Sequence, residues 1–208
     1  MGNIFSIEGP VYRFLYRVVD LLLLNLLFIL CCIPVITIGA SMTALFSMTL
    51  RMVRDEDGGL VTGFLKAFRK NFKQSTVIWG ILFFAGSLLA INFYLLIFYT
   101  GGLSLLILMG LIIFTVIFCM YLALIFPYLA RYEGTIKQAL INVFKIGTTN
   151  IYMVLSITVL IAGPMILMFF SPLWMVAKLY IDTFIGFSLL AYLISFIIRN
   201  TFDKYETN

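Results

Sequence analysis

The sequence predicts an all-α fold, a polytopic membrane helical bundle of about six transmembrane helices with two amphipathic helices on the cytoplasmic side. Three observations lead there. Of the 208 residues, 63% are hydrophobic and 11% charged, whereas a soluble domain carries about 25% charged residues. So few charges cannot cover a water-facing surface, and lipid has to cover it instead. The apolar residues fall in runs long enough to cross ~30 Å of hydrocarbon. The basic residues are confined to the segments between those runs, where they set orientation.

The first apolar run, Val18 to Leu50, holds no charge except Asp20. As one straight helix it would measure roughly 50 Å, too long for a single ordinary crossing. Pro34 sits mid-run and Gly39 follows it, the residue types that kink or end helices. The run therefore divides into spans at about 16–33 and 35–53, joined by a tight apolar turn expected at the outer membrane boundary. Arg51, Arg54 and the acidic run Asp55-Glu56-Asp57 follow, then Gly58-Gly59. The third span is expected at 74–99, closed by Thr100-Gly101-Gly102, and the fourth at 103–129. A polar segment from Arg131 to Gly147 precedes the fifth span at 150–170. Ser171 to Lys178 reads as a short connector with Pro172 and Trp174, and 181–198 is the sixth span. The whole chain, 1–208, is read as one integral membrane domain. Met1 to Pro10 contains Glu8 and no basic residue, so the first apolar segment is expected to be retained rather than cleaved.

Orientation follows from the 14 basic residues. With six spans and both termini cytoplasmic, only Lys178 falls outside; with five spans, Arg13 and Arg17 join it there. The positive-inside rule favours six.

The two polar segments resemble each other, each carrying an amphipathic helix that leads into a span. In the first, Leu60, Phe64, Phe68 and Phe72 recur every four residues, with Lys66, Arg69, Lys70 and Lys73 opposite. In the second, Ile136, Leu140, Val143, Phe144 and Gly147 share a face opposite Lys137, Gln138 and Lys145. Ala67-Phe68 aligns with Ala139-Leu140 and Phe72-Lys73 with Phe144-Lys145, which is compatible with a span–helix–span unit used twice. Such helices either rest on the inner leaflet or dock a cytoplasmic partner. Lys66, Phe68, Arg69, Lys70, Phe72 and Lys73 are the candidate docking residues.

The chain has no histidine, which removes the commonest general base and most zinc sites. No phosphate-binding loop, Cys-x-x-Cys pair or nucleophile elbow occurs. No catalytic, cofactor-binding or metal residue is assigned, and the chain is read as not an enzyme. Cys31, Cys32 and Cys119 lie inside apolar runs and read as small hydrophobes. With no soluble basic domain to present a surface, no nucleic-acid partner is expected.

Ionisable or strongly polar groups at membrane depth are functional candidates, and these are Asp20, Asn25 and Asn92. Arg17 stands one turn before Asp20 and is placed to pair with it; Lys178 and Asp182 have the same relation. An Asn in lipid usually bonds a neighbouring helix, and measured bonds of this kind average about 0.6 kcal/mol. Replacing Asn25 or Asn92 by Leu is therefore expected to leave folding intact. The small pairs Ala40/Ala44, Gly86/Ala90 and Ala191/Ser195 permit close helix approach. Tyr94, Tyr99, Trp174 and Tyr180 read as an outer aromatic belt.

Ile33-Pro34-Val35-Ile36-Thr37-Ile38-Gly39-Ala40, then Ala44-Leu45-Phe46, the Gly-containing charged turn and Phe68-x-x-Asn71-Phe72-Lys73-Gln74 resemble the YesL family. These are membrane proteins of Gram-positive bacteria, and the likeness is strongest over residues 1–80. The resemblance implies a bacterial cell membrane location and an association with carbohydrate ABC importers and glycoside hydrolases. It brings no catalytic or binding residues with it.

Three functions compete. The first is an accessory component of carbohydrate uptake or utilisation, with ABC importer subunits as partners alongside the lipid bilayer. The permease coupling pattern Glu-Ala-Ala…Gly…Ile-x-Leu-Pro is absent, so a stand-alone permease is not expected. The second is an independent small transporter or channel, which needs polar residues such as Asn25, Asn92, Thr115 and Ser156 to converge. The third is a membrane-bound regulator or assembly factor working through its cytoplasmic helices. Oligomeric state is not legible in the sequence.

Overall fold

A computed structural model describes residues 10–56, 58–98 and 101–206. Asp57, Tyr99 and Thr100 lie outside the described residues, so the full acidic run, one belt tyrosine and the start of the third expected turn cannot be placed. All the secondary-structure elements of the described chain are helical. Helix α1 spans Pro10–Cys32, α2 Ile38–Val53, α3 Leu60–Phe98, α4 Ser104–Arg131 and α5 Ile136–Thr149. Helix α6 spans Ile151–Phe170, α7 Pro172–Ile181 and α8 Phe187–Glu206, with a π-helical turn at Asp182–Gly186 between the last two.

The first apolar run divides as expected. Pro34 adopts an extended conformation, and a 3₁₀ turn at Val35–Thr37 leads into α2. The turn closes on itself because the Thr37 hydroxyl reaches the Cys31 carbonyl at 2.6 Å, a group that the end of α1 leaves unpaired, and the Pro34 carbonyl at 2.7 Å, which also accepts the Thr37 N–H at 3.0 Å. The Trp79 indole N–H donates to the Val35 carbonyl at 3.0 Å. That bond sets the turn level with the midpoint of α3. The α3–α4 connection therefore lies about 28 Å of helix beyond it at ~1.5 Å per residue, and the two turns sit at different levels.

Helix α2 is the centre of the bundle. Most of its residues are buried, among them Gly39, Ala40, Ser41, Thr43 and Ala44. Its small side chains let α3 and α8 come close. A Cβ on Gly39 would lie 2.5 Å from the Ser75 carbonyl oxygen and 2.6 Å from Trp79 Cβ. At this tight crossing the Thr43 and Ser75 hydroxyls bond at 2.8 Å, and Thr49 bonds Ser195 of α8 at the same distance. Ala40, Ala44, Ala191 and Ser195 are all buried, so those small pairs serve internal packing. Gly86 lies against the Phe118 ring of α4, whereas Ala90 is exposed.

Three expectations need correction. The first amphipathic helix and the third span are a single 39-residue helix, α3, about 58 Å long at ~1.5 Å per residue. Nothing in Lys73-Gln74-Ser75-Thr76 breaks a helix, so the span continues the amphipathic stretch instead of starting at residue 74. In the second polar segment the break does occur. Asn150 leaves the helical conformation, and α5 and α6 meet at 98°. The two proposed repeat units thus differ at their joint, one straight and one bent. Ser171–Lys178 is not a connector either. The Ser171 hydroxyl accepts from the Leu173 N–H and Pro172 occupies the first helical position, both signals of a helix start. Residues Pro172–Arg199 then form one apolar helical stretch.

Among the described residues five helical stretches are long and apolar enough to cross a membrane, and the bent α5–α6 pair makes up to six. Their outer faces carry large apolar side chains. Phe84, Tyr94, Ile97 and Leu106 are at least 62% exposed, which is stable in lipid and not in water. Trp174 and Tyr180 are likewise exposed, as expected of belt residues.

Candidate functional site

Two clusters of polar groups stand out, one deep among the helices and one at the basic helix ends. The deep cluster is built on Asn25, which is fully buried. A π turn displaces the regular i→i−4 ladder and leaves backbone groups without their usual partners. Asn25 answers three of them. Its Nδ2 donates to the carbonyls of Asp182 and Thr183, each at 2.9 Å, and its Oδ1 accepts from the Ser188 N–H at 3.1 Å. The Ser188 hydroxyl in turn donates to the Leu21 carbonyl at 2.7 Å, so α1 and α8 are joined in both directions. Gly186 packs closely here: a Cβ would come within 3.1 Å of the Ile181 carbonyl group and 2.4 Å of Asp182 Oδ1. The Asp182 carboxylate is held by Lys178, the pairing their spacing predicts. Asn25 is thus a helix-to-helix lock with its hydrogen-bonding capacity largely used internally.

Asn92 and Asp20 do not join it. Asn92 is exposed on α3 and donates to the Leu88 carbonyl of its own helix. Thr115 and Ser156 likewise bond carbonyls one turn back. Asp20 is half-buried on α1; its expected partner Arg17 acts on it by charge but forms its ion pair with Asp55 in the α2–α3 loop. Asp55 takes a left-handed backbone conformation, φ 54°, which Asp tolerates better than most residues. That conformation turns the chain back toward α1, a route that spacing along one helix cannot reveal.

The second cluster lies where α2 ends, α3 begins and α4 ends. Arg199 of α8 donates to the Val53 carbonyl at 2.9 Å, satisfying a terminal group of α2. Tyr132 stacks edge-on against Phe202, with ring centroids 5.5 Å apart, and the Arg131 guanidinium lies 5.5 Å from the Phe202 ring centre. Lys70 pairs with Glu133 in the α4–α5 loop, and Gln74 Nε2 donates to the Gly134 carbonyl at 3.1 Å. The Lys70 ammonium, through its hydrogen bond and its charge, holds the Glu133 carboxyl below the usual carboxylate range. Thr135 and Gln138 then form a capping box that starts α5, whose buried side carries Ala139, Val143, Ile146 and Gly147. Phe144, expected on that face, is 46% exposed. Between α2, α3 and α4 lies a partly open cavity of about 310 Å³.

The six candidate docking residues separate in the structure. Lys66 and Lys70 line the cavity, whereas Arg69 and Lys73 lie outside its lining. The phenylalanine stripe faces the bundle's own core at its start. Phe64 is fully buried, Phe68 packs half-buried against the core, and Phe72 reaches the surface with its ring 5.5 Å from that of Phe68. The cavity escaped sequence reasoning because Arg51 and Arg131 come from other helices, and only tertiary packing brings them beside Lys66 and Lys70.

The family described as "Protein of unknown function, DUF624" matches residues 21–93, a stretch running from α1 through the α1–α2 turn to the distal part of α3. This family includes YesL-like proteins, in agreement with the resemblance carried by the Ile33–Ala40 motif. Within the match, Thr37 closes the turn, Gly39 admits α3, and Ser75 and Trp79 supply the partner surface. No curated protein and no solved structure matches the chain.

Proposed function

We propose that this multi-pass membrane protein is a non-enzymatic accessory component of carbohydrate uptake or utilisation that docks cytoplasmic importer subunits on its basic end. In this reading it resides in a bacterial cell membrane with both termini cytoplasmic. One observation carries the docking part. Asn25, Thr43, Thr49, Ser75, Asn92 and Ser195 are engaged in helix-to-helix or within-helix hydrogen bonds, while positive charge gathers at the ends of α2, α3 and α4. The carbohydrate part rests on the resemblance to YesL proteins alone, since the family matched over residues 21–93 is described only as of unknown function. A transporter or channel is favoured less, because Asn25, Asn92, Thr115 and Ser156 do not converge on a common site. A membrane-bound regulator would use the same basic surface and differs in what it captures.

Affinity purification from native membranes with mass spectrometry separates these readings. Importer ATPase subunits are expected with the wild-type protein, and soluble regulators alone would point to the third function. Exchanging Lys66, Arg69, Lys70 and Lys73 together for Gln is expected to reduce importer recovery several-fold at unchanged membrane abundance. Phe72→Ala is expected to do the same, because that ring is 37% exposed. Phe68→Ala is expected to lower stability as well, since Phe68 packs against the core. Undiminished recovery from the four-Gln protein would remove the docking surface from the proposal. Reporter fusions at Asn3, Gly101 and Asn208 test the topology, with cytoplasmic signals expected at the two ends and an external one at Gly101. An external signal at Asn3 would restore the five-span arrangement.

A further inference from the structure

We propose that the cavity between α2, α3 and α4 binds a phosphate group, carried by an anionic phospholipid headgroup or by a small soluble phosphate ester. The proposal goes beyond partner docking and does not depend on it. Among the described residues, Arg51, Lys66, Lys70 and Arg131 line the cavity with one carboxylate, Glu133, which Lys70 engages, so Arg51 and Lys66 bring two positive charges with no described counter-charge. Like charges lining one cavity repel one another, and an anion placed between them relieves that repulsion. Glu133 is engaged with Lys70 at one edge. The side chains of Arg51 and Lys66 make no ion pair or hydrogen bond with the described residues.

The donor set suits phosphate. Arg51 offers a planar fork that matches two phosphate oxygens, and Lys66 adds a point charge. Lys66 and Lys70 stand four residues apart on α3 and so project to one side. The floor between them and α2 is bare backbone at Gly63, where a Cβ would lie 2.9 Å from Met48 Sδ and 3.8 Å from Arg51 Nη1. At about 310 Å³ the cavity sits at the small end of the ~300–1,000 Å³ range of ligand pockets. That volume suits a phosphate with a short substituent and is too small for a polymer. Basic pockets between membrane helices at the cytoplasmic boundary are where phospholipid headgroups bind, and the cavity lies among such helix ends.

Two probes distinguish the source of the phosphate, both with the full-length protein in neutral detergent. Native mass spectrometry compares retention of phosphatidylglycerol with that of phosphatidylcholine, and calorimetry titrates glycerol 3-phosphate in the absence of anionic lipid. The variants are R51Q/K66Q, the charge-matched R69Q/K73Q outside the cavity, and E133Q. R51Q/K66Q is expected to weaken binding at least about tenfold with one of the probes, since hydrogen bonds to charged groups each contribute more than that factor when desolvated. The probe that responds identifies the source. R69Q/K73Q is expected to change binding less than about twofold, as distant exposed charges are screened. E133Q releases Lys70 and removes the competing carboxylate, so it is expected to tighten binding several-fold. That gain cannot arise from misfolding. Equal weakening by the two double variants, no saturable binding of either probe, or no gain in E133Q overturns the proposal.

Discussion

Replacing Gly39 with Val is expected to prevent α2 and α3 from closing and to reduce the protein in the membrane to a small fraction of its normal level. The reason is the identity of the atoms in the way. A Cβ at residue 39 would stand 2.5 Å from the Ser75 carbonyl oxygen and 2.6 Å from Trp79 Cβ. A flexible side-chain tip can swing aside, but a helix backbone cannot, so the two helices have to separate. Separation also breaks the Thr43–Ser75 bond and the Trp79–Val35 bond that fixes the α1–α2 turn. Overpacking in a tight core costs ~1–3 kcal/mol, occasionally more, and the lost hydrogen bonds add to that. A total of roughly 3 kcal/mol or more takes a large part of a typical 5–15 kcal/mol stability. Gly80→Ala is the internal comparison. Nothing lies within 4 Å of a Cβ there, and Ala favours helix over Gly by ~1 kcal/mol, so that variant should be neutral or slightly more stable. Equal abundance and equal melting temperature of the two variants would refute the tight crossing.

Asn25→Leu is expected to destabilise the purified protein by about 2–4 kcal/mol, whereas Asn92→Leu changes it by less than ~0.5 kcal/mol. This reverses the expectation from sequence that both exchanges leave folding intact. A single interhelical bond in a membrane averages about 0.6 kcal/mol, and that figure would apply if Asn25 made one such bond. It makes three, all to backbone groups of the π turn and the start of α8. Leu would leave those groups buried and unpaired, at ~1–3 kcal/mol each before relaxation of the turn. Relaxation toward regular helix recovers part of the loss, which sets the lower figure. Asn92 bonds only its own helix on an exposed face, and Leu suits lipid there. Thermal unfolding in detergent reads the difference, and hydrogen exchange should rise at residues 182–188 in Asn25→Leu alone. Identical melting of the two Asn variants would show that the π turn does not need its partner.

Composition, run length and the placement of basic residues by themselves determined that the chain is a helical membrane bundle. Each depends on a bulk property, the cost of exposing apolar surface or of placing charge in lipid, and bulk properties are additive along a sequence. The break at Pro34 was legible for a related reason, since a missing N–H acts locally. The Lys178–Asp182 pair was legible because four-residue spacing on one helix is a local distance.

The continuity of α3 through Lys73–Thr76 was harder to read, because the polarity there changes while the helix propensity does not. The bend at Asn150 depends on how α6 packs against α4 and α8, and the sequence offers it only as a polar break. The pairing of Arg17 with Asp55, the threefold use of Asn25 and the gathering of Arg51 and Arg131 beside Lys66 and Lys70 were decided by tertiary structure alone. Each joins residues from different helices or, for Asp55, from a loop, and their encounter depends on which helices touch and at what depth. Gly39, Thr43 and Ser75 set that contact, where a backbone-to-backbone approach leaves no room for even one additional carbon atom.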